Sequence, residues 1–416
     1  MIFCHKAFTF VAFKKKVTHK MDIKGLIALA FGTLGLGITE YVAMGLLPYL
    51  SADFSVTIAQ AGHAISAYAL GVAIGAFMII FMRKLRLKSI LLILILIHLF
   101  GNALTCVVDN FNYLLISRFI AGLPHGCFFG VGSIIAQRLV KAGKGTSAVA
   151  IMTAGMTVAN VFGVPLGTAL ANSLSWRVIF IIVAVWALFV LLSAVLWIRD
   201  VGGIEDRGFK NQFTFMKTKS PWLVLGATMF GNAGIFCMMS YVSPLLTDLG
   251  SVSLEYVPAV MVCMGIFMVA FNLISGKLCD HFTPGIVASY CQLCAVVLLL
   301  IIALLGQYNA LIITLICLNA GLLFAISSPE QVAILHTAPA GLLVAASCVQ
   351  AAFNLGNAIG AYAGGVPFTF DLSIRLVTVI GAALALIGFV SLFVYARKYE
   401  KTAMKEYFDM TGMSSK

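Results

Sequence analysis

The sequence predicts an all-α membrane protein with twelve transmembrane helices in two pseudo-symmetric six-helix bundles. Hydrophobic residues make up 61% of the 416-residue chain, charged residues make up only 10%, and the mean hydropathy is +1.05. A water-soluble protein of this length needs more charged and polar residues to cover its surface, whereas a chain in lipid also presents apolar side chains outward. At ~20 residues per membrane-spanning helix plus short loops, the chain has room for roughly twelve spans.

Twelve apolar stretches are separated by charged residues or by Pro and Gly clusters. They predict helices at about 25–47, 57–82, 88–108, 112–137, 146–171, 176–198, 220–247, 256–276, 285–306, 309–335, 341–366 and 373–396. The long polar interruption at 199–219 separates six spans from six and is predicted to be a linker. The expected units are a tail (1–20), a first bundle (21–198), the linker (199–219), a second bundle (220–396) and a tail (397–416).

Residues 1–20 form a short apolar and basic segment before the first predicted span. Their apolar run is short, and no small-residue cleavage site follows their lysines, so we do not expect a cleaved secretory signal. Because a well-formed span begins directly after Met21, we expect translation to begin at Met21 and residues 1–20 to be a misassigned start.

Lysine and arginine lie almost entirely on one side of the predicted helices. They occur in both tails, in the connections after spans 2, 4 and 8, and in the linker, whereas the opposite side holds only Arg177 and Arg375. Since cytoplasmic loops carry an excess of Lys and Arg, both termini are predicted to be cytoplasmic in a bacterial inner membrane. This topology and anionic lipid headgroups explain the formal charge of +12, and no nucleic-acid partner is expected.

The two halves share short repeats and stripes of small residues. Phe31-Gly32 recurs as Phe230-Gly231, and Ala121-Gly122-Leu123 recurs as Ala320-Gly321-Leu322, both at one offset. Small residues recur every four positions on predicted spans 5 and 11 and form a stripe on each: Gly155, Ala159, Gly163, Gly167 and Ala171, and Ala352, Gly356, Gly360 and Gly364. Such stripes allow close helix packing in lipid. Two interpretations stay open, namely static packing and surfaces that slide or rock.

Four segments resemble a known family: GTLGLGITEYVAMGLLPYL (32–50), SRFIAGLPHGCFFGVGSIIAQRLV (117–140), GMTVANVFGVPLGTAL (155–170) and SWRVIF (175–180). They are similar to the arabinose efflux permease branch of the drug:proton antiporters in the major facilitator superfamily. The resemblance extends from Met21 to about residue 396. It implies a twelve-helix fold with a central cavity between two halves, and export of sugars or small amphipathic compounds against protons.

Two motifs depart from the superfamily pattern. The connection after span 2 (79–88) keeps the basic cluster but lacks the Gly and Asp that normally precede it, whereas the second copy retains Gly276 and Asp280. A latch that uses Asp280 is therefore favoured over one in the first half. In span 5 the motif is Gly163-Val164-Pro165 where many antiporters have Gly-Pro adjacent, a variant that the arabinose-type branch shares.

Three ionisable residues fall inside predicted spans: Glu40, Arg118 and Glu330. Such residues are costly in a membrane and are normally paired or functional. Glu40 and Arg118 both lie roughly 9–12 Å below the outer surface at 1.5 Å per residue, so we expect an ion pair in which Arg118 controls the protonation of Glu40. A fixed pair that only orients helices is the alternative. Glu330 lies nearer the cytoplasmic end of span 10, either on the substrate path or reaching toward the inner interface.

Other polar residues within the spans are candidates for the substrate path. Arg118, Gly122 and His125 share one face of span 4, and His125 is either a packing residue or a proton relay. Span 5 carries Asn160, and span 11 carries a polar face of Gln350, Asn354 and Asn357. These side chains either line the substrate path or hydrogen-bond between helices.

The motifs that the sequence lacks exclude some sources of energy for transport. It has no G-x-x-x-x-G-K-[ST] phosphate loop and no soluble segment large enough for a nucleotide-binding domain, so an ion or substrate gradient is expected to drive transport. An enzyme is disfavoured because H-E-x-x-H and G-x-S-x-G are absent, and a channel because the two halves are unlike. No metal or other cofactor is predicted. The protein is expected to be a monomer whose partners are a small-molecule substrate, protons and lipids. Proton-coupled uptake is the alternative to efflux.

Overall fold

A computed structural model describes residues 22–82, 84–140, 145–203, 214–279, 281–338 and 342–411. The expected misassigned start at 1–20 and part of the predicted linker lie outside the described residues. Within these ranges the structure is almost entirely helical, and its one β-type contact is an isolated bridge between Arg86 and Gly203.

The first half contains six long helices. They are α1 (Ile23–Phe54), α2 (Ile58–Gly75), α3 (Leu87–Val107), α4 (Phe111–Arg138), α5 and α6 (Trp176–Trp197), with a short helix at Met78–Met82 after α2. Helix α5 consists of Gly145–Val158, a π-helical turn at Ala159–Gly163, and Val164–Ser173. The wider turn comes directly before Pro165, whose missing N–H removes one bond from the helical ladder.

The second half repeats this arrangement. Its helices are α7 (Lys219–Ser240), α8 (Val257–Cys279), α9 (Pro284–Leu305), α10 (Asn309–His336), α11 (Leu342–Thr369) and α12 (Arg375–Lys398). Short helical turns at Val242–Pro244 and Leu245–Leu249 continue α7. A further helix, α13 (Glu400–Thr411), packs on α10 and α12 within the segment that the sequence predicts as a plain tail.

Eleven helices in the described part of the chain are long and apolar enough to cross a membrane. The remaining long helix, α11, has 28 residues, which exceeds the length needed to cross a ~30 Å hydrocarbon core. It carries three polar residues (Gln350, Asn354 and Asn357) and several glycines. Because α11 packs against both α2 and α7, these residues face other helices, and the structure agrees with the predicted twelve-helix fold.

The connections define two ends of the bundle. The linker end carries the start of α1 and the chain that joins the halves, and there Arg86 forms an ion pair with Asp200. The opposite end, called the far end, carries the connection between α1 and α2 and the start of α6. At the far end, Nη1 of Arg177 donates to Oδ2 of Asp53 at 2.5 Å.

The glycine stripes lie inside each half. A Cβ atom on Gly155 of α5 would lie 1.9 Å from the Ala30 carbonyl oxygen of α1, and one on Gly356 of α11 would lie 2.3 Å from the Met229 carbonyl oxygen of α7. The other members also meet α1 or α7: Gly163, Gly167, Gly360 and Gly364. In this conformation the stripes therefore provide close packing at equivalent positions of the two halves, and a sliding role stays a prediction.

The two halves meet through two other helix pairs. Between α2 and α11, Oγ of Ser66 donates to the Ala358 carbonyl oxygen at 3.1 Å. Between α5 and α8, Oγ1 of Thr168 donates to Sδ of Met261 at 3.4 Å. Thr168 lies near the far end of α5 and Met261 near the far end of α8, so these helices hold the halves together toward the far end.

Helix α13 is attached to the linker end of the second half by Glu400. The buried carboxylate accepts hydrogen bonds from Oγ1 of Thr283 at 2.5 Å and from the backbone N–H of Gly285 at 2.6 Å. These groups belong to the N-terminus of α9, where the first backbone N–H groups have no partner within the helix. Glu400 thus caps α9 from a different helix.

The docking of α13 should weaken as pH rises. Burial raises the pKa of Glu400 above the ordinary 4.5, although the bonds from Thr283 and Gly285 oppose this shift. An undocked Glu400 would ionise near 4.5, so between that pH and the higher pKa of the docked state only the undocked carboxyl loses its proton. Docking is therefore strongest below 4.5 and is progressively lost up to the docked pKa.

Hydrogen exchange of α13, corrected for the intrinsic effect of pH, measures this change. We expect more protection at acidic than at alkaline pH in the wild type, and no such difference in Glu400→Gln. Glu406→Gln, on the exposed face of the same helix, is the matched control and should behave as the wild type. Equal protection of wild-type α13 at both pH values would contradict the prediction.

Candidate functional site

Glu40 lies near the middle of α1 and is buried. The helix continues to Phe54, beyond the predicted end at 47, because Pro48 is accommodated inside it. Glu40 is therefore fourteen residues from the helix end, about 21 Å along the axis at 1.5 Å per residue. The carboxyl lies deeper in the bundle than the sequence predicts.

The Glu40 carboxyl contacts side chains from both halves. Its Oε2 lies 3.8 Å from Nε2 of His125 on α4, and its Oε1 accepts a hydrogen bond from Nδ2 of Asn357 on α11 at 3.5 Å. The contact with His125 has the length of an ion pair rather than of a hydrogen bond. Glu40 thus lies where the first half meets the second, and it brings together three of the predicted site residues.

Tyr68 of α2 completes this group. Its hydroxyl lies 2.9 Å from Nδ1 of His125 and donates to the Leu36 carbonyl oxygen at 3.4 Å. The tautomer of His125 decides whether the hydroxyl or the Nδ1–H is the donor between them, and in either case Nε2 is the ring nitrogen that faces Glu40. The arrangement allows one proton to be shared between the Glu40 carboxyl and the His125 imidazole.

The predicted ion pair between Glu40 and Arg118 is wrong for this conformation. Among the described residues, Arg118 forms no ion pair with Glu40; its Nη2 donates to the Thr39 carbonyl oxygen at 2.7 Å. The guanidinium lies 4.6 Å from the centre of the Tyr68 ring and 5.3 Å from that of Phe180. A backbone carbonyl and two aromatic faces thus hold the cation, whose charge still attracts the nearby Glu40 carboxylate.

The predicted polar face of α4 is directed at α2. Arg118 lies over the Tyr68 ring, a Cβ atom on Gly122 would lie 2.2 Å from the Tyr68 carbonyl oxygen, and His125 bonds to the Tyr68 hydroxyl. The face therefore contacts a neighbouring helix of the same half, and only His125 also reaches Glu40. Tyr68 also belongs to this group, and its one signal in the sequence is a phenol inside an apolar span, which indicates a residue that could line the path but predicts none of its contacts.

A second buried polar group supports this arrangement. On α3, Nδ2 of Asn102 donates to the His98 carbonyl oxygen at 2.8 Å, and Oγ1 of Thr39 donates to Oδ1 of Asn102 at 3.3 Å. Thr39 therefore links α3 to the backbone carbonyl that holds Arg118. The sequence analysis did not identify His98 or Asn102, although both interrupt an apolar run.

Asn160 lies in the π-helical turn of α5, where the halves touch. Its Nδ2 donates to the Met156 carbonyl oxygen at 3.2 Å, and its own carbonyl oxygen faces Gly265 of α8. A cavity of about 20 Å³ adjoins it, room for one water molecule and far below the ~300–1,000 Å³ of a ligand pocket. Its lining comes from both halves: Tyr41, Met44, Val164, Met239, Val242, Met261, Met264, Gly265 and Met268. This cavity between the halves is too small to hold a substrate.

The remaining predicted residues lie elsewhere. Asn354 is buried and its Nδ2 donates to the backbone carbonyl of half-buried Gln350 at 3.0 Å, so this contact stays within α11. Glu330 is buried inside the second half, where it bonds to Gln292 of α9, and it does not reach the Glu40 group. Nothing within 4 Å would meet a Cβ atom on Gly276. Asp280 lies outside the described residues.

A comparison of the sequence with protein families decides its membership. The model described as Major Facilitator Superfamily matches residues 29–347. The chain belongs to the Major Facilitator Superfamily. Members are transporters and not enzymes, so the chain is an integral membrane transporter of a small-molecule substrate.

Curated relatives extend this assignment along most of the chain. AraJ of Escherichia coli (strain K12) is 40% identical over 90% of this chain and 95% of its own length. The inner membrane transport protein YdhP of the same strain is 33% identical over 91% and 97%. A chloramphenicol resistance protein of Streptomyces lividans is 30% identical over 80% and 86%. These matches confirm the resemblance to the drug:proton antiporter type and its arabinose efflux permease branch.

Solved structures support the same fold. The nucleoside transporter NupG superposes with a TM-score of 0.74 at 14% identity, over 90% of this chain and 100% of that one. At this identity the match shows the fold alone. Together with the helix order, it confirms the two-bundle major facilitator architecture.

Proposed function

We propose that this protein exports sugars or small amphipathic compounds across the bacterial inner membrane by proton antiport with alternating access. The observation that carries the proposal is the Glu40 carboxyl, buried in mid-helix and contacting His125 of its own half and Asn357 of the other. An ionisable group placed between the moving halves links its proton to their relative position.

The coupling step follows from these contacts. In the conformation described, Asn357 donates to the Glu40 carboxyl while the halves are joined toward the far end. Separation of the halves there would remove this donor and admit water, so Glu40 would bind or release a proton as access changes. His125 and Tyr68 stay with Glu40 because they belong to the same half, and they provide a place for the proton to be shared.

The orientation of the chain rests on its charges. The linker end carries most Lys and Arg, so we place this end and both termini in the cytoplasm. The closed far end then faces outward, and the conformation described is the one with its outer side closed. The name of the relative YdhP as an inner membrane protein supports the same membrane.

Two observations support export. The relatives include a protein named for chloramphenicol resistance. Five methionines from both halves line the central space, and methionine side chains adapt to apolar ligands. Proton-coupled uptake is the second candidate, because the same Glu40 group would serve transport in either direction.

Transport by inverted membrane vesicles with a proton gradient tests this function, with L-arabinose and chloramphenicol as labelled probes. We expect accumulation of one probe that an uncoupler abolishes, and none in vesicles without the protein. Accumulation in right-side-out vesicles instead would support uptake. Accumulation of neither probe in either orientation would contradict both substrate classes.

A further inference from the structure

A second group of buried polar side chains lies inside the second half. We call Glu330 of α10, Gln292 of α9, and Thr228 and Asn232 of α7 the second-half polar cluster. Each of the four is at most 1% exposed. Glu330 is thus enclosed by helices of one half only, in contrast to Glu40, which contacts both halves.

The hydrogen bonds within the cluster use its amide donors. Nε2 of Gln292 donates to Oε1 of Glu330 at 2.8 Å and to the Ala227 carbonyl oxygen at 3.2 Å. Nδ2 of Asn232 donates to the Thr228 carbonyl oxygen at 2.8 Å. The known donors are therefore directed to one carboxyl oxygen and to backbone carbonyls.

Four buried oxygen atoms of the cluster lack a hydrogen-bond partner. They are Oε2 of Glu330, Oε1 of Gln292, Oδ1 of Asn232 and Oγ1 of Thr228. Thr228 and Asn232 lie next to the Glu330 carboxyl. The Thr228 hydroxyl supplies one hydrogen, which can satisfy only one of the other three oxygens. A buried polar atom without a partner costs about 1–3 kcal/mol, so the remaining acceptors call for a further bound hydrogen.

The charge of Glu330 leads to the same conclusion. Within the described ranges no Lys, Arg or His forms an ion pair with Glu330. An isolated carboxylate in an apolar interior is so unfavourable that the group takes up a proton instead. A protonated Oε2 then donates to an adjacent oxygen, and Oε1 keeps its bond from Gln292.

The backbone leaves room for this cluster. A Cβ atom on Gly231 of α7 would lie 2.1 Å from Nε2 of Gln292. Two hydrogen bonds fix that nitrogen, so only glycine lets the Gln292 side chain cross α7 and reach Glu330. Gly231 belongs to the Phe-Gly pair that repeats between the halves.

The cluster lies toward the linker end of the second half. Glu330 is six residues from the end of α10 at His336, about 9 Å along the axis. Ser328, two residues away, is exposed. Pro329 lies between them and cannot donate to the Ala325 carbonyl, which weakens α10 at this point.

We propose that the second-half polar cluster is a second proton-binding site, loaded in this conformation and exchanging its proton with the linker side. A role in coupling rests on the proposed antiport, but proton binding at Glu330 does not. The site and Glu40 then give each half of the protein its own carboxyl for the coupling ion.

Other titratable groups on the surrounding helices are distinguishable from Glu330. They are Lys277 and Cys279 on α8, Cys291 and Cys294 on α9, His336 on α10, Lys219 and Cys237 on α7, and Tyr395 on α12, whose hydroxyl donates to the Ala333 carbonyl oxygen at 3.3 Å. None of these is a carboxylic acid, but Glu400 of α13, which bonds to the N-terminus of α9, is a buried one. Glu400→Gln is therefore measured as well, to separate its infrared band from that of Glu330.

Infrared difference spectroscopy of the purified full-length protein between high and low pH tests the site without any substrate. We expect a pH-dependent C=O band of a protonated carboxyl that Glu330→Gln loses and Glu40→Gln retains. Gln292→Leu should keep this band at a higher frequency, because the C=O group loses its donor. Gln292→Leu still tests the proposal if Glu330→Gln does not fold.

Four outcomes would overturn the proposal. The band could persist unchanged in Glu330→Gln, or show the wild-type frequency in Gln292→Leu. Loss of the same band in Glu40→Gln would mean that the two carboxyls are not separate sites. A band lost when sodium chloride replaces choline chloride at constant pH would identify a sodium site. If the proposed antiport fails, only the transport assay will show it, and the infrared band of Glu330 will remain.

Discussion

Replacement of Glu40 by glutamine should abolish proton-driven accumulation of the transported compound. Gln keeps the shape of the side chain and can still contact Asn357, but it cannot bind or release a proton between the halves. We expect accumulation in inverted vesicles to fall by at least about tenfold, which corresponds to ~1.4 kcal/mol of lost driving force.

Glu255→Gln is the matched control for this variant. Glu255 is an exposed carboxyl at the far end of the bundle, and its replacement removes the same charge without touching the Glu40 group. It should accumulate the probe as the wild type does. Wild-type accumulation in Glu40→Gln, at equal protein levels, would remove Glu40 from the coupling mechanism.

Replacement of Gly155 by alanine should produce the largest loss of stability. A Cβ atom there would lie 1.9 Å from the Ala30 carbonyl oxygen, and a helix backbone cannot move away as a flexible side chain can. Helices α1 and α5 would have to separate, at a cost of ~1–3 kcal/mol for overpacking. Thermal unfolding of the purified protein in detergent should show a lower Tm.

Gly130→Ala is the control because nothing within 4 Å would meet its Cβ atom. Alanine favours the helix over glycine by up to ~1 kcal/mol, so this variant should equal or exceed the wild type in Tm. An unchanged Tm in Gly155→Ala would mean that α1 and α5 do not pack as closely as the structure shows.

The sequence was sufficient to predict the twelve helices because lipid imposes a strong composition on each span. It could not locate the ends of α1, since Pro48 normally signals a helix end but is tolerated in a bundle. Helix α13 was also missed. It is polar, and its position depends on contacts with distant parts of the chain, among them the bond of Glu400 to the N-terminus of α9 and the packing of Tyr407 on His336.

The members of the site were easier to predict than their partners. Glu40, His125 and Asn357 are visible as polar residues in apolar spans, and the structure brings them together. Glu40 and Arg118 do lie at a similar depth, since Arg118 bonds to the carbonyl of the adjacent Thr39, but their side chains do not pair. Arg118 instead bonds to the Thr39 carbonyl and lies over the Tyr68 ring. These contacts depend on side-chain packing, which residue spacing does not predict.

The most direct test of coupling at Glu40 is proton movement driven by the substrate. The protein is reconstituted in proteoliposomes that enclose a pH indicator and have no initial pH gradient. The compound that the vesicle assay identifies as transported is then added on one side, so that it has a concentration gradient across the membrane. We predict that the wild type changes the internal pH as the probe moves, whereas Glu40→Gln moves the probe down its gradient with no pH change. A wild-type pH change in Glu40→Gln would contradict the assignment of the coupling site to this carboxyl.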